Sequence, residues 1–543
     1  MLSEGWRHWP AAATADVELL HVDGRPLRTF ASRSPTVVAS VERSAQRFPE
    51  REAVRDASGA LTYRELLYAA RTMAGSLQQD AGVRPGDRVA LLLSNGITFP
   101  VAALAALMTG AIVVPLNTKL RSRELGFELT EATPRVLLCD EEWADSIGPL
   151  APELVAPYVY VGGNGHGHAR LDMLVGGDPS RFSAVAIEPA DAAFMCFTSG
   201  TTGTPKGAIS SHFNCTSNVR NFATVSELDE GERTLVTVPL FHVTGLLAQL
   251  FLIFEVGGTA VILPRYDPTA ALRAIAEQRI THLIAAPTIY ATMMEHPDRS
   301  AYDVSSVRTI VSGSAPISPP TIERLREWIP GARFQNAYGL TEASSLATAV
   351  PFGDALAKVH TIGLPTPVTA CRTVQLESGR DAEPGEPGEL CIAGPQVTAG
   401  YWHRPDATAA AIRDGWLHTG DTATIDEDGF VVLLDRIKDM INRGGEKVFC
   451  VEVEAVLYEH PQVLEAAVVG TPDARYGEAV KAVVAPRPGQ HIDREELHAF
   501  VSERLARYKV PKHVEFVDQL PRNANGKVVK THLGGGPGTG AAR

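Results

Sequence analysis

The sequence is poor in cysteine and shows no cysteine pattern: six residues, at 139, 196, 215, 371, 391 and 450, and no Cys-x-x-Cys pair. Most have apolar neighbours, so the thiols are expected to be buried in a reducing compartment, with no disulfide staple needed. Positive charge is outnumbered, 50 Lys and Arg against 63 Asp and Glu for a net −13. That excludes a nucleic-acid binder relying on overall basic charge, and any phosphate ligand would need a local pocket. Long apolar runs are also missing. Phe99–Leu116 comes nearest to membrane-spanning length, but Pro100, Thr109-Gly110 and Pro115 break it into helix, turn and strand, so no membrane span is expected. The opening MLSEGWRHWP has no apolar core after a basic start, which argues against a secretory signal and for the cytoplasm. His166 and His168, in a Gly-rich stretch, are too few ligands for a metal site. No fixed-period repeat is visible, and low complexity is confined to Gly534–Gly540.

What is present is the composition of a large globular chain: 543 residues, 45% hydrophobic and 21% charged. Arg88–Leu93 is an apolar run of strand length, Ile97–Met108 an Ala/Leu-rich helix, and Ala111–Pro115 a second strand. Strand–helix–strand units of this kind belong to buried parallel sheets. Short β-branched runs return at Arg233–Val238, Thr259–Leu263, His282–Ala286 and Val307–Val311, each followed by a helical segment, which predicts a large α/β architecture. Around Asp421 the texture changes. Ala423–Asp426, the turn Glu427-Asp428-Gly429 and Phe430–Leu434 read as a hairpin, and the charged Asp435–Lys447 as a surface connection. A helix at Glu452–His460, strands at Glu465–Val469 and Ala479–Ala485, and a helix capped by Asp493 make a C-terminal α+β module. The expected organisation is an N-terminal domain of mostly parallel sheets over 1–437, a smaller domain over 438–533 and a tail over 534–543.

Five segments carry chemistry. Phe197–Gly207, FTSGTTGTPKG, leaves an apolar strand with three glycines that let backbone N–H groups turn inward, with hydroxyls on Ser199 and the threonines, and with the cation Lys206. The set suits a polyphosphate, although the glycine spacing is not that of a P-loop. Asn336–Ser344, NAYGLTEAS, offers an amide, the flat face of Tyr338 and the carboxylate of Glu342; one carboxylate suffices for magnesium that also takes phosphate and water ligands. In Gly415–Asp421, GWLHTGD, Asp421 could accept two hydrogen bonds from a ribose diol. The fourth segment, Asp435–Val448, concentrates Arg436, Lys438, Arg443 and Lys447; the fifth, Pro521–Lys527, is a turn presenting Lys527. Taken singly, the last four would pass for solvated loops or turns.

Together and in this order, the five segments resemble the adenylate-forming superfamily of acyl-CoA synthetases, peptide-synthetase adenylation domains and luciferases, over roughly Val38 to Lys530. The resemblance implies a large N-terminal domain and a small mobile C-terminal domain with a hinge at Lys438. It implies ATP, magnesium and coenzyme A as the small molecules used. It implies that a carboxylate would attack the α-phosphate of ATP to give an acyl-adenylate, and that the CoA thiol would then displace AMP. Thr198, Ser199, Gly200, Thr201, Thr202, Gly203 and Lys206 would close over the phosphates, and Gly313, Ser314, Ala315, Asn336, Ala337, Tyr338, Gly339 and Thr341 would line the nucleotide. Glu342 would hold magnesium, Asp421 and Arg436 would bind ribose and phosphate, and Lys527 would bridge the attacking carboxylate and the α-phosphate. After adenylation Gly444 and Gly445 would replace Lys527, with Lys447 near the nucleotide.

For the acyl site the likeness points to Pro239–Leu246 and Ser312–Pro316, with His242 beside the carboxylate and Val243, Thr244, Leu246 and Gly313 around the acyl group. These segments and 285–288 carry no charged group other than the imidazole, which implies an uncharged hydrophobic acid. Asn523 stands where many relatives have threonine, and Lys447 where some have glutamine. The rival within the superfamily, an enzyme loading an amino acid onto a carrier protein, would place an aspartate where this chain reads FHVTG, and no carrier sequence follows Lys530.

Overall fold

The computed structural model describes residues 9–22, 24–150, 156–165, 167–198, 205–315, 317–437, 439–444, 446–487, 489–522 and 528–533. The chain forms two compact units that interleave in sequence. The first takes Met1–Cys371, Ile392–His418 and Asp428–Phe430; the second takes Arg372–Cys391, Thr419–Glu427 and Val431 onward. Lys438, the expected boundary, lies outside the described residues.

The first unit contains two large sheets. One runs, by neighbouring strand, Gly400–Tyr401, Lys206–Ser211, Ala192–Thr198, Ile112–Pro115, Arg88–Leu92, Val136–Cys139, Tyr158–Val161 and Ala169–Arg170. Its pairings are parallel from Ala192–Thr198 to the Ala169–Arg170 end, and antiparallel where Lys206–Ser211 folds back and Gly400–Tyr401 adds at the edge. The other has a parallel centre, Arg333–Leu340, Thr309–Ser312, His282–Ala285, Arg233–Val236, Thr259–Ile262 and Glu52–Asp56, with antiparallel additions at both ends. The strands expected from the β-branched runs are therefore present, to within one or two residues at their ends.

Why these runs are continuous rather than alternating follows from the packing. On Arg88–Leu92, Val89 and Leu91 join the main apolar cluster while Ala90 and Leu92 join a second one on the opposite face. Successive strand side chains point to opposite faces, so a strand covered on both sides must be apolar throughout. The helix Thr98–Met108 is buried at ten of its eleven positions, which explains why it shows no amphipathic stripe. His212–Val225 packs into the same cluster, its start closed by a reciprocal pair: the Ser211 hydroxyl accepts from Asn214 N and the Asn214 side chain accepts from Ser211 N.

In the second unit, Val463–Asp473 and Gly477–Pro486 pair as a long antiparallel hairpin, with His513–Phe516 parallel to the latter and Ile441–Arg443 antiparallel to its start, Arg443 opposite Gly477. Helices Cys450–Tyr458 and Arg494–Ser502 cover the sheet, and Asp493 caps the latter by accepting from Glu495 N and Glu496 N. The hairpin read near Asp421 is present as Trp416–Ile425 against Val431–Arg436, with Ile425 opposite Val431. One expectation is corrected. Asp435–Lys447 is not merely a solvated connection: Asp435 is 4% exposed, and Ile441–Arg443 pairs antiparallel with Glu446–Val448. Asp435 is buried because its carboxylate accepts the N–H groups of Arg436 and Cys450 and so closes the start of the helix at Cys450.

Candidate active site

In the first unit the segment expected to hold phosphate is flanked by two paired strands. Ala192–Thr198 and Lys206–Ser211 pair antiparallel, Thr198 lies opposite Lys206, and the Thr198 hydroxyl donates to Lys206 O at 3.4 Å. Ser199, Gly200, Thr201, Thr202 and Gly203 lie outside the described residues. At the base of the hairpin a Cβ on Gly207 would come within 2.7 Å of Met195 Sδ, so a larger residue there would displace the Met195 side chain.

Glu342 reaches the same edge by a different route. Arg333–Leu340 delivers Asn336 to Gly339, and the short turn Thr341–Ala343 brings the carboxylate round. Gly339 is required by its neighbour, since a Cβ there would sit 1.4 Å from Ser345 O across the hairpin. Ser344, left-handed at φ 49°, shares a hydroxyl hydrogen bond of 2.9 Å with Ser210. Thr398 N donates to Glu342 O at 2.8 Å, and Thr398 Oγ1 donates to Ile209 O. The Glu342 turn and the strand Lys206–Ser211 are thus stitched together through residues 398–401. Asn336 is more constrained than its amide suggested, because its Nδ2 donates to Thr361 O at 2.8 Å. Ser312 pairs in register with Asn336, which sets Gly313 beside Ala337; a Cβ on Gly313 would lie 3.1 Å from Ala337 O. Ser314 and Ala315 follow as exposed residues, Ser314 at φ 67°, and Pro316 is outside the described residues. Tyr338 and Thr341 are half-buried.

The residue that the motifs missed is Tyr401. Its hydroxyl donates to Glu342 Oε1 at 2.8 Å, and its ring lies under the Lys206 ammonium, 5.2 Å from Nζ to centroid. Burial first, then the Glu342 charge, hold the phenol well above the usual tyrosine range, so it stays a donor. A lone tyrosine in a Gly-Tyr-Trp string has no pattern that announces this. In the segment expected to line the acyl group, Thr244 N donates to His242 Nδ1 at 3.2 Å, which puts the proton of a neutral imidazole on Nε2. The helix after it is a wide π-type turn, Thr244–Phe251. Gly245 lets it approach the preceding loop, since a Cβ would meet Pro239 O at 2.3 Å. His242 and Thr244 are half-buried, whereas Val243 and Leu246 belong to the main apolar cluster.

In the second unit Asp421 and Arg436 face each other across a β-pair, Arg436 Nε 3.3 Å from Asp421 Oδ1, with the aspartate nearly buried. Asp421 N donates to Thr419 Oγ1 at 3.1 Å. Gly444, at φ 65°, donates its N–H to Tyr476 O at 2.8 Å, and the Arg443 guanidinium lies over the Tyr476 ring at 4.5 Å. Lys447 is exposed and pairs with Glu377 at 3.3 Å. Lys438, Gly445 and Lys527 are outside the described residues. Sequence patterns also missed an ionic cluster near this strand end. Lys530 Nζ lies 2.8 Å from Glu454 Oε1, Glu454 also accepts Val468 N, and Asp435 and Cys450 are close enough to be coupled to Lys530. Burial raises the Asp435 and Glu454 carboxyls, and Lys530 draws both back down. Burial lowers the Lys530 ammonium, but Glu454, Cys450 and Asp435 together outweigh it and leave it raised.

Residues 41–402 match the family model described as AMP-binding enzyme, and 452–527 match the AMP-binding enzyme C-terminal domain. A feruloyl-CoA synthase of an Amycolatopsis species is 39% identical over 495 residues, covering 90% of this chain and 96% of its own. A long-chain-fatty-acid–CoA ligase of Bacillus subtilis is 35% identical over 520 residues, covering 90% and 92%. Among solved structures, ATP-bound MatB from Rhodopseudomonas palustris superposes with a TM-score of 0.83 at 31% identity, covering 91% of this chain and 98% of that one. The chain belongs to the AMP-binding enzyme family, the adenylate-forming enzymes. Within it the similar proteins are acyl-CoA ligases and synthetases.

Proposed function

We infer that this protein is an ATP-dependent acyl-CoA ligase that activates a hydrophobic monocarboxylic acid as its acyl-adenylate and passes the acyl group to CoA. Overall the reaction releases AMP and pyrophosphate. Activation is needed because a carboxylate is a poor electrophile, whereas the mixed anhydride carries AMP as a leaving group. In the first half the carboxylate oxygen attacks the α-phosphorus and the bond to pyrophosphate breaks. In the second the CoA sulfur attacks the acyl carbon and the bond to AMP breaks.

The observation that carries the reading is the joining of three elements at one sheet edge: the hairpin ending in Lys206, the Glu342 turn and the strand bearing Tyr401. In this reading Thr198–Lys206 wrap the phosphates, Tyr338 covers adenine, and Asp421 with Arg436 takes the ribose hydroxyls. A magnesium ion fits at Glu342: among the described residues Tyr401 is the carboxylate's one hydrogen-bond partner and engages Oε1, which leaves Oε2 for a cation that needs a single protein carboxylate beside phosphate oxygens. When bound, that ion would neutralise phosphate charge. Lys527 would contact the carboxylate and α-phosphate in the first half only. Rotation about Lys438, between residues 1–437 and 438–533, would then let Gly444 and Gly445 replace Lys527 and open a passage for CoA, with Lys447 near the nucleotide.

The acid is assigned as a monoacid because the acyl segments 239–246, 285–288 and 312–315 contain no Lys or Arg to neutralise a second carboxylate. Two of the similar proteins are named for ferulate and for long-chain fatty acids. Six cysteines, all buried and none in a disulfide, support a cytoplasmic setting. Lys527→Ala tests the assignment. Assayed on a panel of aromatic and aliphatic acids, it should lose pyrophosphate release by about 100-fold or more while keeping thioester formation from supplied acyl-adenylate. Equal loss in the two halves would refute the role of Lys527, and a preference for diacids in the parent would refute the substrate class.

A further inference from the structure

Tyr401 belongs to none of the five chemical segments, yet it touches two of them. Its strand, Gly400–Tyr401, pairs antiparallel with Lys206–Ser211, Tyr401 opposite Ala208. Its N–H donates to Thr408 Oγ1 at 2.9 Å, so the backbone is held from the other side. The ring lies between a cation and an anion: Lys206 Nζ is 5.2 Å from the centroid, and the hydroxyl is 2.8 Å from Glu342 Oε1. Among the described residues neither Lys206 nor Glu342 has an ion-pair partner, and they do not pair with each other within 4.0 Å.

That separation matters physically. Two opposite charges at a phosphate-binding edge would gain by collapsing into a direct ion pair, and each would then have to be released before it could engage a nucleotide. An aromatic ring with a polar tip prevents this. Its face attracts the ammonium, and its hydroxyl satisfies one carboxylate oxygen without neutralising the charge.

We propose that Tyr401 is a positioning residue that holds Glu342 and Lys206 apart and pre-aimed, so that the polyphosphate and its divalent cation find the two charges already separated. Tyr401 acts in this way on the reading that Glu342 and Lys206 serve the nucleotide site. Its two contacts are chemically distinct and can be removed one at a time. Tyr401→Phe keeps the ring under Lys206 and deletes the hydroxyl; Tyr401→Leu deletes both.

The test is equilibrium binding of a non-hydrolysable ATP analogue by calorimetry, in EDTA and in saturating magnesium, on the full chain. Without metal, Tyr401→Phe should bind like the parent, because the Lys206 seat is intact. With magnesium it should bind about tenfold more weakly, the size expected for losing a hydrogen bond to a charged group. Tyr401→Leu should be weakened in both conditions; if it fails to fold, Tyr401→Met replaces it. Adenylation should follow the same split, the magnesium concentration for half-maximal rate rising for Tyr401→Phe. Equal affinity of Tyr401→Phe and parent in magnesium would overturn the inference, and so would an equal loss with and without metal, which would mark a merely structural role. Glu342→Gln and Lys206→Ala separate the two levels. If both bind as the parent does, the nucleotide-site reading itself falls; if both are impaired and Tyr401→Phe is not, only the role of Tyr401 falls.

Discussion

Lys530→Met removes one charge from the ionic cluster of the second unit while keeping an unbranched apolar stem. The Lys530 and Glu454 side chains retain only 20% and 14% of their exposure, and their charged atoms are 2.8 Å apart. Deleting one partner of a buried pair leaves the other charge uncompensated, at about 3–5 kcal/mol. The residual exposure sets the expectation near the lower bound, about 3 kcal/mol at pH 8, or on the order of 10 °C in the transition of a unit this size. The pH dependence is the sharper part. In the parent the raised ammonium stabilises the fold at every pH below its ordinary value and loses that contribution only in strong alkali, so it adds no slope between pH 5 and 8. In the variant the Glu454 and Asp435 carboxyls, already raised by burial, lose the cation that draws them down. A carboxyl raised above its unfolded value stabilises the fold below that value and ceases to do so as pH rises through the folded one. The deficit should therefore be small at pH 5 and large at pH 8. Scanning calorimetry on the full chain, following the transition that shifts, measures it, since two compact units need not unfold together. Lys530→Arg should restore most of the loss. A deficit equal at pH 5 and pH 8, or below about 1 kcal/mol at both, would refute the reasoning.

Lys438→Pro fixes φ near −65° and removes an N–H at the proposed hinge. If the adenylating arrangement is the one locked, pyrophosphate release in a single turnover survives while thioester formation collapses; unchanged thioester formation would remove the hinge. Gly339→Ala should destabilise the first unit by more than about 3 kcal/mol, because its methyl would lie 1.4 Å from Ser345 O and only backbone movement can relieve that. Gly331→Ala is the control, with nothing within 4 Å of the added methyl, and calorimetry should find it within about 1 kcal/mol of the parent.

The strand–helix alternation was legible because burial on both faces forces apolar runs such as Arg88–Leu92, and that constraint acts on neighbours in sequence. The Phe197–Gly207 segment stood out for a related reason: it concentrates glycine, hydroxyls and a lysine within one short stretch, the composition expected of a polyphosphate cradle. Glu342 and Asp421 could be named only because their segments occur in a familiar order, since one carboxylate carries no local pattern. Tyr401 could not be read at all. Its partner Glu342 is 59 residues away and its other partner Lys206 is further still, and they meet only because an edge strand pairs with Lys206–Ser211. The same holds for Lys530 and Glu454, and for Asp435, whose acidity and charged neighbours suggested solvent while its hydrogen bonds to Arg436 N and Cys450 N required burial. Composition and local spacing thus determined the class of fold and singled out the Phe197–Gly207 segment. Tertiary structure decided which charges are neutralised, which are kept apart and which glycines have no alternative, because each depends on atoms brought together from distant parts of the chain.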